Sequence, residues 1–366
     1  MRWSRILASL VWLALATLFA AAVARPSAAH GGTADSLVGG SSVRTDEVCF
    51  VVHNEGDPRP RKVYGVRYYV ADPSTRTKVI ILVHGNSLTH AFWDVRPDHS
   101  VARRLAAAGY LVIAYDRLGY GKSPYGGPHG AGYSLTISSQ RAMLHEIVGQ
   151  VKAGRYAFAT DGTCPATGGP PVGLASPTAI LVGHSAGGAI VSGYPGTYHD
   201  VAAMVQAGFN NQGFSPSVAI YVARVWLPQA AAGKDYWILA PTIGDCERVL
   251  LYRPGVASSL LPQFCEPPSL VPGPAGEVTG AGRMYMENLL AIERVGPGVP
   301  VLLAWADHDF FFPEGNETRY WKAHCGCDVE TWTQRESGHA FVAHKSMPSF
   351  TAAVVDWLSS RGLGAR

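Results

Sequence analysis

The chain has 366 residues, is 47% hydrophobic and 16% charged, and carries a formal net charge of +3. A chain this apolar and lightly charged is globular rather than disordered, and its length suits one large domain with an insertion or two modest ones. The small positive charge belongs to the N-terminal segment and gives no ground for a nucleic acid or an anionic membrane as partner.

The first 29 residues (1–29) read as a secretion signal. Arg2 and Arg5 supply the basic start, and residues 6–24 form an apolar run interrupted by Ser9 and Thr17. Ala22-Val23-Ala24 and Ser27-Ala28-Ala29 are small-residue cleavage sites. The run is near spanning length, so an uncleaved anchor is the competing reading. Its alanine content and the cleavage sites favour removal and export, with no stable membrane anchor afterwards. Cleavage after Ala29 removes Arg2, Arg5 and Arg25 and no acid, so 30 basic residues become 27 against 27 acidic ones and the charge falls to 0. Six cysteines remain: Cys49, Cys164, Cys246, Cys265, Cys325 and Cys327. In an exported chain disulfides are the default, and Cys246 and Cys265 are close enough in sequence to close one loop. Cys325-Gly326-Cys327 is not a C-x-x-C pair and has no second pair at zinc spacing, so neither metal nor redox chemistry is read from it.

Residues 30–45 are rich in Gly, Ser and Thr and read as a loose leader. Residues 48–53 and 65–70 read as strands with Asp57-Pro58-Arg59-Pro60 as the turn between them. Residues 79–83 are a continuous apolar run, the pattern of a strand buried on both faces, and end in His84-Gly85-Asn86-Ser87. A helix over 101–109 stops at glycine. A buried strand over 111–115 leads into residues 116–123, Asp-Arg-Leu-Gly-Tyr-Gly-Lys-Ser. Over 137–154, Leu144, Ile147, Val148 and Val151 fall on one helical face, and the Gly- and Pro-rich residues 160–177 read as a surface loop. Next comes a strand ending in Gly183-His184-Ser185-Ala186-Gly187, followed by small and apolar residues suited to a helix. Further strands are expected over 201–207, 301–305 and 328–333, and a helix over 349–359 closes the chain. Strands alternating with helices predict an α/β fold with a mostly parallel, doubly wound sheet.

One stretch breaks the alternation. About 90 residues separate Ala207 from Val301, where a crossover needs only a dozen or so. Residues 210–290 are long enough for an inserted subdomain and carry Phe214, Tyr221, Trp226, Leu227, Tyr236, Trp237, Ile238 and Leu239. They read either as an ordinary small core or as a cap whose inner wall receives an apolar substrate. The expected organisation is therefore a signal (1–29), a first core part (30–209), the cap (210–290) and a second core part (291–366).

The pentapeptide at Ser185 has the form G-x-S-x-G. A serine in a sharp strand-to-helix turn is held in strained geometry with its hydroxyl exposed, and flanking glycines remove the Cβ atoms that would clash there. The hydroxyl needs a base to take its proton, and the base needs a third group to fix its tautomer. In an α/β sheet these parts follow in the order serine, acid, histidine. The strand over 301–305 is followed by Ala306-Asp307-His308-Asp309, which offers Asp307 or Asp309 as the acid. The strand over 328–333 is followed by Glu336-Ser337-Gly338-His339, which offers His339 as the base, with His344 a competitor near the start of the last helix. His84 and His184 are expected to fill space and hydrogen-bond locally, and His308 to lie at the surface.

These stretches resemble the α/β-hydrolase family. Residues 183–187 are similar to its nucleophile elbow, His84-Gly85-Asn86 to its H-G-x oxyanion turn, residues 116–123 to its D-x-x-G-x-G-x-S loop, and Asp309 and Gly338-His339 to its acid and base sites. The family's G-x-x-D spacing favours Asp309 over Asp307, although Ala306 stands where the glycine would be. The resemblance implies Ser185, Asp309 and His339 as catalytic residues, and an oxyanion hole made by the backbone N–H groups of Ala186 and Asn86.

Three motifs fail. Gly121-Lys122-Ser123 lacks the first glycine of a P-loop because residue 116 is Asp. His145-Glu146 lacks the second histidine of a zincin because residue 149 is Gly. Gly119-Tyr120-Gly121 is no dinucleotide fingerprint. No cofactor and no metal are therefore inferred. Asn316-Glu317-Thr318 is a glycosylation sequon, meaningful only in a eukaryotic secretory host. The expected function is a secreted serine hydrolase cleaving a carboxylic ester or lactone that is small and apolar or amphipathic. Amide or carbon–carbon cleavage or acyl transfer by the same residues, and a non-catalytic small-molecule binding protein, are the alternatives. The sequence leaves the oligomeric state open.

Overall fold

The computed structural model describes residues 43–127, 129–165, 171–265 and 270–365. The expected signal, most of the leader and the whole apolar run lie outside the described residues. The expected leader overlaps the first strand, because Arg44 already pairs with Tyr69.

Nine strands form the central sheet: β1 (Arg44–Val52), β2 (Arg61–Tyr69), β3 (Val79–Val83), β4 (Leu111–Tyr115), β5 (Ala157–Phe158), β6 (Ala179–His184), β7 (Ala203–Ala207), β8 (Val301–Ala306) and β9 (Val329–Gln334). Their order across the sheet is β9-β8-β7-β6-β3-β4-β2-β1-β5. The run from β9 to β4 is parallel, and β2, β1 and β5 add antiparallel. The strands β3, β4, β6, β7 and β8 are buried along their whole length. Their Val, Ile, Leu and Ala runs suit this, because a strand covered by helices on both faces has no polar side to present.

The helices that cover the sheet are α1 (Val101–Ala107), α2 (Ile137–Ala153), α3 (Ala186–Ser192), α10 (Glu317–His324) and α11 (Met347–Ser360). Local chemistry fixes their ends. The Ser100 side chain caps α1 by accepting from Arg103 N. Thr136 and Ser139 form a reciprocal capping box on α2, which stops at Gly154 with φ 66°. Leu144, Ile147, Val148 and Val151 lie buried on α2 against the sheet, as their spacing predicts. The last helix begins two residues earlier than expected, with Pro348 in its first turn, where a missing N–H costs nothing.

Between β7 and β8 the chain leaves the sheet and forms α4 (Pro216–Tyr221), α5 (Leu227–Ala231), α6 (Ile243–Leu250), α7 (Leu261–Cys265), α8 (Ala275–Thr279) and α9 (Ala281–Ile292). A two-residue ladder joins Tyr236–Trp237 to Gly273–Pro274. Tyr221, Trp226 and Trp237 of this segment are buried. Disulfides join Cys246 to Cys265 inside the insertion, Cys49 of β1 to Cys164, and Cys325 to Cys327. Among the described residues, no helix is long and apolar enough to cross a membrane.

Candidate active site

The segments that the sequence singles out all follow the carboxyl ends of parallel strands: His84 to Ser87 after β3, Ser185 after β6, Asp309 after β8 and His339 after β9. Open α/β sheets gather reactive groups at this edge.

Ser185 sits between β6 and α3 with φ 56° and ψ −120°, a conformation that non-glycine residues rarely adopt. Its neighbours show why the turn needs glycine. A Cβ on Gly183 would lie 2.2 Å from the Gly187 carbonyl oxygen, and one on Gly187 would lie 2.1 Å from that of Val83 on the adjacent strand. With both side chains absent the elbow packs directly on β3, and the Ser185 N–H donates to the Ala207 carbonyl at 2.9 Å.

Ser185 Oγ lies 2.9 Å from His339 Nε2. On the far side of the ring, Nδ1 lies 2.8 Å from Asp309 Oδ2 and 3.0 Å from Oδ1. A carboxylate only accepts, so Nδ1 carries the proton and leaves Nε2 to accept from the serine hydroxyl. Both His339 and Asp309 are shielded from water, with side-chain exposures of 1% and 0%. Asp309 Oδ1 also accepts the N–H groups of Phe311 and Phe312, at 2.8 and 3.0 Å, which fixes the carboxylate plane.

Asp307 is not brought to the histidine. Its two oxygens accept the N–H groups of Glu336 and Ser337, at 2.9 and 3.0 Å, and so brace the loop that carries His339. His344 is not at the serine either. It lies buried in the turn before α11 rather than in the helix, and hydrogen-bonds backbone groups. His184 packs below His339, with its Nε2 2.7 Å from the His339 carbonyl oxygen. Burial holds the His184 ring well below the usual histidine range, so it donates to that carbonyl as a neutral imidazole. His84 is likewise pushed down to about 3 by burial, with Arg117 adding to the effect. His308 is half-exposed and stacks on Tyr252 with ring centroids 3.7 Å apart.

Ala186 is the first residue of α3, so its N–H has no acceptor within the helix. Gly85 abuts the serine: a Cβ there would lie 2.9 Å from Ser185 Cβ. Among the described residues, the Asn86 N–H has no backbone acceptor. The Asn86 side chain is engaged elsewhere, donating to Tyr120 Oη at 3.1 Å and to Glu277 Oε2 at 3.2 Å.

A cavity of about 60 Å³ opens onto Ser185, His339 and Asn86. Its wall is mostly apolar, with Phe214, Trp226, Met284 and Tyr285 contributed by the insertion and Phe209 and Phe312 by the flanking loops. Glu277 is the one acidic side chain among its lining residues. Among the described residues, no group of three or more His, Cys, Asp or Glu side chains is arranged to hold a metal ion.

One pairing at the site escapes sequence reasoning. Arg117 and Glu277 form a buried pair although 160 residues separate them. Arg117 stands inside the quoted loop over 116–123, but nothing in that loop points to a partner, and no periodicity marks Glu277. The loop's first residue, Asp116, closes its own turn by accepting from Lys122 N at 2.7 Å and ties it to the segment after β3 by accepting from His90 N at 2.7 Å.

A model of the family described as the alpha/beta hydrolase family matches residues 80–354. No curated protein matches the chain. Solved structures do. A monoacylglycerol lipase of Paleococcus ferrophilus superposes with a TM-score of 0.56 at 18% identity, covering 81% of this chain and 98% of that one. A thermophilic esterase of Thermogutta terrifontis gives 0.58 at 14% identity, covering 86% and 99%. A carboxylesterase of Bacillus subtilis gives 0.53 at 16%, covering 86% and 92%. At such identities the likeness is one of fold. With the family model spanning the sheet from β3 to α11, the chain belongs to the alpha/beta hydrolase family.

Proposed function

We propose that the protein is an exported serine hydrolase that cleaves a carboxylic ester through an acyl-enzyme on Ser185. The observation that carries this reading is the unbroken chain from Ser185 Oγ through His339 to Asp309, with links of 2.9 Å and 2.8 Å. His339 Nε2 takes the hydroxyl proton as Ser185 attacks the ester carbonyl, and later delivers it to the leaving alcohol. Asp309 holds the ring in the tautomer that makes Nε2 the base and stabilises the imidazolium that forms. The Ala186 and Asn86 N–H groups take the oxyanion of the tetrahedral intermediate. A water activated by the same histidine then hydrolyses the acyl-enzyme.

The insertion, residues 210–290, serves as a cap over the site, and its aromatic wall selects an uncharged, apolar acyl or alkyl group. Hydrolase and esterase neighbours of the same fold agree with an ester substrate. The three disulfides agree with an oxidising compartment outside the cell. The test is turnover of p-nitrophenyl esters by the folded protein and by Ser185→Ala. Loss of at least about a thousandfold in kcat is expected, and a variant that retains most of its turnover removes the reading.

A further inference from the structure

We propose that Arg117 is the positioning residue for the oxyanion donor Asn86, and that Glu277 of the insertion holds Arg117 in that post. The inference rests on the proposed ester chemistry at Ser185.

Arg117 is fully buried and Glu277 is 2% exposed at its side chain. The guanidinium grips the carboxylate at both ends, through Nη1 to Oε1 and Nη2 to Oε2. Tyr120 Oη donates to the same carboxylate at 2.8 Å and Asn86 Nδ2 at 3.2 Å. A buried charge pair is a poor source of net stability, because desolvation offsets most of its attraction. What the pair holds in place matters more. Arg117 Nη2 also donates to the carbonyl oxygen of Gly85 at 3.0 Å. That oxygen receives a second donor, His84 Nδ1–H, at 2.8 Å. The tautomer of His84 follows from its other nitrogen, which accepts the Arg117 N–H at 3.0 Å.

Gly85 O and Asn86 N–H belong to one peptide plane. In a planar trans peptide the N–H points opposite to the C=O. Pinning the carbonyl toward Arg117 therefore aims the Asn86 N–H the other way, to the side where Gly85 abuts Ser185. A cation on the carbonyl oxygen also polarises the peptide and strengthens the N–H as a donor. Glu277 lies on α8, within the insertion, and lines the substrate cavity. Seating of the insertion is thus transmitted to the Gly85 carbonyl through the Arg117 guanidinium, beside direct bonds from the insertion to the Asn86 side chain and to Ser87.

The test compares an oxoester with the matching thionoester, whose developing charge falls on sulfur and draws little help from oxyanion donors. Arg117→Met alone would strand a buried carboxylate, so the decisive variant is the double Arg117→Met/Glu277→Leu, checked for wild-type circular dichroism. Oxoester kcat should fall about 10- to 100-fold, toward the loss of one oxyanion donor, with KM changed by less than about threefold. The thionoester rate should change far less, so the oxoester-to-thionoester ratio collapses. Arg117→Lys should restore part of the ratio. Equal losses on both substrates, an effect confined to KM, or an unchanged ratio overturns the proposal. Ser185→Ala, run beside it, separates the two readings. If that variant still turns over, the ester mechanism itself has failed. If it is dead while the double variant keeps its ratio, only the role of Arg117 has.

Discussion

His344 Nε2 accepts the amide N–H of Gly338 at 3.0 Å, one residue before the candidate base His339. The same nitrogen accepts from Tyr252 N at 2.9 Å, and Nδ1–H donates to Ala340 O, one residue after the base, at 2.9 Å. The loop that carries His339 is thus clasped on both sides by a neutral imidazole, which burial pushes down to about 4. In the unfolded chain the ring titrates near the ordinary value of about 6.5. Between these values the unfolded chain binds more protons, so stability is complete above about pH 6.5 and is lost as pH falls toward 4. The shift corresponds to roughly 3 kcal/mol across that window. His344→Leu should cost about 2–5 kcal/mol at neutral pH by leaving the buried Gly338 N–H and the partly buried Tyr252 N–H unpaired. It should also flatten the dependence of Tm on pH between 6.5 and 4. Parallel curves for the two proteins would refute this role.

The two aspartates after β8 are expected to separate cleanly. Asp309→Asn offers an amide in place of a carboxylate and favours the wrong tautomer of His339, so kcat should drop about 10³- to 10⁴-fold. Asp307→Asn should lower stability by about 1–3 kcal/mol through the two loop N–H groups it serves, with kcat changed only a few-fold. Steady-state kinetics and thermal unfolding of both variants check this. The reverse pattern would make Asp307 the acid.

The disulfides should rank by the length of chain they close. Cys49–Cys164 spans 115 residues and Cys325–Cys327 spans 2. Loop entropy assigns the first about 4–5 kcal/mol and the last far less. Cys49→Ser/Cys164→Ser should therefore melt several degrees lower than Cys325→Ser/Cys327→Ser. A reversed order would show that local geometry, not loop closure, sets their worth.

Met284 lines the cavity from α9 and is itself buried. Met284→Ala should lengthen the apolar wall and shift selectivity toward longer chains. Each further buried methylene is worth about 0.8 kcal/mol, a factor of about four in kcat/KM. The check is a series of p-nitrophenyl esters graded by acyl length, where an unchanged profile would place the chain elsewhere.

Much of this architecture was legible in the residues. The runs over 79–83 and 111–115 are strands to the residue, because a strand covered on both faces favours apolar side chains along its whole length. The elbow was legible because Gly183 and Gly187 answer a steric demand that only glycine meets. Motif order points to Ser185 and His339 but leaves Asp307 and Asp309 open; the family resemblance favours Asp309, and it is Asp309 that lies beside His339. The interior of the insertion was not legible beyond its apolar character. Its helices are short, and its two-residue ladder at Tyr236–Trp237 is set by tertiary contacts rather than by any repeat. Nor could spacing reveal Arg117 with Glu277, or His344 with Gly338 and Tyr252. Side-chain-to-backbone bonds of long separation leave no periodic trace in a chain.

The central claim is that Ser185 is the nucleophile activated by His339. Labelling the folded protein with a fluorophosphonate and mapping the adduct by peptide mass spectrometry tests it most directly. The expected result is a single adduct on the peptide bearing Ser185, formed much more slowly in His339→Asn and absent in Ser185→Ala. An unlabelled Ser185 in protein that still hydrolyses esters, or an adduct at another residue, would contradict it.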